Sequence, residues 1–116
     1  MHVMLIVKAN EASDVGLREN SAKLVDLLQF HDAMVRAGAV LSVEALQPVC
    51  RGVRVGYSAD RRTSVADPVL ETPHILGFWL IRVNSMMEAI EWAQRAPLVG
   101  GEIEVRQTAF QLFPLH

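Results

Sequence analysis

This chain has a single thiol, Cys50, so it cannot close an internal disulfide, and a reducing compartment is expected. Basic charge is also scarce. Lys and Arg number 11 against 13 Asp and Glu, the formal net charge is -2 and the pI is near 6.0. The basic pair Arg61-Arg62 is too short a run to form the concentrated positive surface that phosphate contacts need, so no nucleic-acid partner is expected. No apolar run reaches the length of a membrane span. The opening residues, Met1 to Ile6, are largely apolar but give way to Lys8, and they lack the charged start and long apolar middle of a signal peptide. A cytoplasmic protein with no membrane partner is therefore expected. Glycines do not gather into a phosphate loop: Gly100-Gly101 precedes a strand and lacks G-x-G-x-x-G spacing. No serine sits in a G-x-S-x-G elbow. No two histidines have a short ligand spacing such as His-x3-His, so no metal is expected.

What the chain does have is apolar bulk. Its 116 residues are 51% hydrophobic and 21% charged, the composition of one globular domain over 1–116 with no linker and no repeat. The stretch Ile75-Leu-Gly-Phe-Trp-Leu-Ile-Arg-Val83 organises it. β-branched and aromatic residues mark it as a strand, with Ile75, Gly77, Trp79, Ile81 and Val83 on one face and Leu76, Phe78 and Leu80 on the other. Both faces are apolar, so both need a cover.

The other elements follow in order. Residues 2–8 form a first strand with Val3, Leu5 and Val7 on one face. Residues 9–20 form a polar loop. A helix is expected from Ser21 to Ala37, ended by Gly38, with Leu24, Leu27, Leu28, His31, Met34 and Val35 as its sheet-facing stripe. Residues 39–46 form a strand with Val40, Ser42, Glu44 and Leu46 sharing a face. Arg54–Tyr57 and Thr63–Val65 pair as a hairpin. After the central strand, Ser85-Met-Met-Glu88 has capping-box spacing and opens a second helix that stops before Pro97. Glu102–Gln107 is the last strand, and the tail carries Phe110, Leu112 and Phe113. The order β-α-β, hairpin, β-α-β predicts an α+β fold, a ferredoxin-like split β-α-β with an inserted hairpin. Two helices cover one sheet face. A second copy of the chain is the expected cover for the other, giving a homodimer.

The same residues resemble the YCII-related family, in particular the branch named for a DGPF motif. The likeness runs through Met4-Leu-Ile-Val-Lys-Ala9, Ala37-Gly38, Glu44-Ala-Leu-Gln-Pro48, Gly77-Phe-Trp-Leu-Ile81, Met87-Glu-Ala-Ile-Glu-Trp92 and Glu102-Ile-Glu-Val-Arg-Gln107. The resemblance implies a dimeric α+β barrel. Related barrels include cofactor-free isomerases, cyclases, monooxygenases and dehydrohalogenases, and carrying any of these over is analogy from fold. Where the family has Asp-Gly-Pro-Phe, this chain has Ala66-Asp67-Pro68-Val69, so the motif is degenerate.

Two residues are candidates for catalysis. His31, among leucines, can shuttle protons near neutral pH; the plain alternative is a core-edge histidine with one hydrogen bond. Glu44, within an apolar strand and matched by the family run, suits a general base; the alternative is an ion pair with Lys8, Arg54 or Arg82. Candidates for substrate contact are His74 at the mouth of a pocket, Asp67 in place of the motif aspartate, Lys8, and Trp79 stacking on a planar ligand. Loop exposure, Asp-Pro turn chemistry and core packing are the ordinary roles of His74, Asp67 and Trp79. The expected function is cofactor-independent acid-base catalysis, of lyase, isomerase or cyclase type, on a small organic molecule. The alternatives are a small-molecule-binding or accessory dimer without turnover, and a structural dimer module.

Overall fold

The structure, a computed structural model, describes residues 1–9, 21–69, 73–98 and 100–109, and the side chains of these except 21–23. The loop expected over 9–20 and the apolar tail with Phe110, Leu112 and Phe113 lie almost wholly outside these residues. The elements are β1 (His2–Ala9), α1 (Ser21–Arg36), β2 (Val40–Ala45), a 3-10 turn (Val49–Arg51), β3 (Arg54–Tyr57), β4 (Thr63–Ala66), β5 (His74–Arg82), α2 (Met86–Arg95) and β6 (Glu102–Gln107).

Four strands form one sheet in the order β2-β5-β1-β6, with every neighbouring pair antiparallel. Since β1 and β2 each run antiparallel to β5, they are parallel to each other, joined through α1. That is an α+β architecture compatible with the ferredoxin-like split β-α-β. β3 and β4 pair only with each other, and every residue in them is exposed.

One sheet face and the two helices enclose the core. Val3, Leu5 and Val7 of β1 oppose Ile81, Trp79 and Gly77 of β5. These side chains pack with Phe30, Met34, Val83 and Ala89. Each large side chain withdrawn from water in this way contributes roughly 1.5–3 kcal/mol. Gly77 has a steric reason: a methyl there would lie 2.5 Å from the Glu44 carbonyl oxygen and 3.2 Å from Ala45 Cα.

α1 ends as the glycine predicts. Gly38 has φ +72°, its N–H donates to Val35 O at 2.9 Å, and Ala39 N–H donates to Met34 O at 3.0 Å, the paired bonds of a Schellman cap. At α2, Ser85 Oγ accepts from Glu88 N–H at 3.2 Å. The Glu88 carboxylate accepts from Asn84 N–H at 2.9 Å, one residue before the expected Ser85.

Three expectations change. First, α1 buries Phe30 and Met34 and half-buries Leu27, whereas Leu24, Leu28 and Val35 stay exposed, at 46%, 57% and 49%. The helix is turned so that its 27-30-34 row meets the sheet. Second, a bulge between Val7 and Lys8 pairs Lys8 with Ile75 and skips Leu76. Ile75 therefore shares the Lys8 face instead of the Gly77, Trp79 and Ile81 face. Third, an irregularity in β2 pairs Val40 with Ile81 and Ser42 with Leu80, skipping Leu41. Val40 thus joins the core face, while Ser42 and Glu44 take the other.

Met34→Ala is expected to cost about 3 kcal/mol of stability, as for other fully buried side chains cut to alanine. Leu28→Ala is expected to cost less than about 0.5 kcal/mol. Urea midpoints of the two variants check which row of α1 faces the sheet.

Candidate functional site

Between α1 and the β2–β5 end of the sheet lies a cavity of about 380 Å³. Leu24, Leu27 and Leu28 form its helix wall, Val43 and Trp79 its sheet wall, and Leu98 closes one side. It is almost wholly apolar. The side chain that breaks this pattern is His31, which follows Leu24 and Leu28 along the helix at i+7 and i+3.

His31 is held from behind. Trp79 Nε1–H donates to His31 Nδ1 at 3.1 Å. An indole nitrogen only donates, so the imidazole atom facing it accepts, and the neutral ring carries its proton on Nε2. Trp79 is itself fixed by burial, at 5% exposure, and by an edge-on contact with Phe30, ring centroids 5.5 Å apart at 87°. Phe30 also meets Trp92 of α2 edge-on at 6.4 Å. The chain Trp92, Phe30, Trp79, His31 thus runs from the core to the cavity wall.

The other candidates fall elsewhere. Glu44 borders the cavity through its place on β2, but it pairs with Phe78, while its neighbour Val43 pairs with Trp79. Residues paired across an antiparallel ladder share a face. The Glu44 side chain therefore points to the far side of the sheet from His31. It is exposed there, with no ion pair among the described residues. Two of the three partners expected for it are engaged elsewhere: Lys8 Nζ bonds Glu104 Oε1 at 2.6 Å, and Arg54 Nε donates to the Asp67 carbonyl at 2.7 Å. Lys8 lies on the far face, since it follows Met4 and Ile6. Asp67 is exposed beside the hairpin. His74 pairs with Ala9 at the end of β5, and its Nε2 is enclosed without a hydrogen-bond partner among the described residues. The structure therefore brings together His31 and Trp79 but not Glu44, Lys8, Asp67 or His74. Phe30 escaped the sequence reading although it stands three residues after Leu27 and four before Met34, a spacing that marks the true buried row.

The far face has its own pattern. Met4, Ile6, Phe78 and Leu80 form an apolar centre, half-buried or better. Glu44 flanks it on β2. On the β6 side lie Lys8, Glu104 and Arg106, the arginine paired with the same carboxylate as the lysine. The Lys8 hydrogen bond, with help from Arg106, holds the Glu104 carboxyl below its ordinary range, against a smaller opposing effect of burial. Among the described residues no three His, Cys, Asp or Glu side chains are placed to hold a metal ion, and no helix is long and apolar enough to cross a membrane.

The family model of the YCII-related domain matches residues 1–109. No curated protein matches the chain.

A carboxyl that is more acidic when folded stabilises the fold above its unfolded value, and that contribution disappears as pH falls through the folded one. The Glu104 contribution is thus expected at neutral pH and lost below the ordinary glutamate value of 4.5. Glu104→Gln should show a smaller drop in urea midpoint between about pH 7 and about pH 3.5 than the unaltered protein.

Proposed function

The chain belongs to the YCII-related family, and from that premise we propose that it acts on a small organic molecule by acid-base chemistry without a cofactor, with His31 as the proton-bearing group. The observation that supports this most directly is the apolar cavity of about 380 Å³ whose wall carries one oriented imidazole. Such a volume lies within the range of ligand pockets, and a few placed polar groups in an apolar lining are their usual form. A positioned imidazole contributes typically 10²–10⁴-fold to a proton-transfer step. Within the family we assign the chain to the DGPF branch, with Ala66-Asp67-Pro68-Val69 as an altered motif, and we place its action in the cytoplasm, in keeping with its one exposed cysteine.

A second reading, binding without turnover, is favoured by the placement of Glu44. Its carboxylate lies across the sheet, so His31 has no acid-base partner beside it among the described residues.

We also propose that a second copy of the chain covers the far sheet face. An apolar centre of Met4, Ile6, Phe78 and Leu80 with a charged rim is the form of an interface.

Trp79 lies in the cavity wall, so its fluorescence should report ligand entry in a screen of aromatic and alicyclic compounds. His31→Gln keeps an acceptor for the indole N–H. It should retain binding within roughly threefold while lowering turnover of any substrate found by 10²-fold or more. Unchanged turnover in that variant would remove His31 from the chemistry, and binding with no turnover of any compound would favour the second reading.

Light scattering should give twice the 12.9 kDa chain mass for the unaltered protein and a single chain mass for Phe78→Glu. A stable single chain in the unaltered protein would end the dimer proposal.

A further inference from the structure

The geometry points to a ligand class for the cavity: an uncharged, mostly apolar carbonyl compound whose oxygen accepts a hydrogen bond from His31 Nε2–H. This rests on the proposed role of the cavity between α1 and the sheet, and it narrows that role.

The donor follows from the Trp79 contact. With Nδ1 occupied as an acceptor at 3.1 Å, the neutral imidazole has its proton on Nε2. Nε2 makes no hydrogen bond among the described residues, and the ring borders the cavity. In this state Nε2 has no lone pair to receive a proton. His31 therefore meets the ligand as a donor, polarising an oxygen, and Trp79 acts as the residue that positions it.

The absence of charge in the ligand follows from the rest of the lining. Among the described residues it contains no lysine or arginine, and its one carboxylate, Glu44, borders it by its backbone with the side chain turned to the far sheet face, so neither sign of charge finds a counter-ion. Lys8, on β1, is turned to the opposite sheet face and held by Glu104. A carboxylate drawn against this apolar lining would give up part of its water for one neutral N–H, an unfavourable exchange. A hydrocarbon, conversely, would leave the Nε2–H without an acceptor once water is displaced. A ketone, ester or lactone carbonyl on an alicyclic or aromatic frame satisfies both conditions. Hydrogen bonding by a neutral imidazole to such an oxygen draws electron density from the carbonyl carbon, and strengthens as negative charge grows on the oxygen.

Three probes of one shape separate the possibilities: tetralin, 1-tetralone and 1-naphthoate, titrated against the full chain by calorimetry. The ketone is expected to bind on the order of five- to tenfold more tightly than the hydrocarbon, the worth of one neutral hydrogen bond, and the carboxylate more weakly than either. Its carbonyl stretch should move to lower frequency on binding, and this shift should vanish in His31→Phe. The imidazole ¹⁵N shifts of the unaltered protein should report a protonated Nε2, and Trp79→Phe should redistribute the proton between the two nitrogens. These two spectroscopic results do not depend on the fold tolerating His31→Phe. Equal binding of all three probes, tighter binding of the carboxylate, or a proton on Nδ1 would overturn the ligand class while leaving the cavity as a binding site. No binding of any probe would overturn both.

Discussion

A buried indole N–H must have an acceptor. Trp79 sits in the sheet's helix-facing side, shut off from water, and an unpaired donor there would cost on the order of 1–3 kcal/mol. His31 supplies the acceptor from the helix above. This one bond ties α1 to β5 and decides which edge of the imidazole meets the cavity. Packing supports it from the other side, because Phe30 and Trp92 leave the indole little freedom to turn.

The two faces of the sheet differ. On its helix side the side chains interlock down to Leu5, Met34 and Ile81, which have no exposed surface. On its other side a narrower apolar strip lies between charges that pair along and across β6. The hairpin of β3 and β4 adds little to either, and two short strands pairing only with each other are marginal in water. Folding stability is therefore concentrated in the four-stranded sheet and its helices.

Much of this was legible in the residues. The order of elements, the cap at Ser85, the stop at Gly38 and the buried face of Gly77, Trp79 and Ile81 all follow from local chemistry. What escaped was parity and rotation. Alternation in β2 and β5 assumes an unbroken ladder, and one skipped residue in each reverses the phase, which moves Val40 and Ile75 to unexpected faces. In α1 two apolar rows lie side by side, and only the tertiary contact distinguishes the row of Phe30 from the row of Leu28. His31 could be singled out from its setting among leucines, whereas its indole partner, 48 residues away, belongs to the fold and not to any motif.

The skipped residue at Leu76 has a mechanical consequence as well. It lies where the chain that follows Ala66-Asp67-Pro68-Val69 feeds into the central strand. A kink at that point decouples the two: the incoming segment can gain or lose a residue and change its phase while Gly77 onward keeps its own. The joint works like an expansion gap in a rail: a change of length on the incoming side need not propagate into the core that follows it.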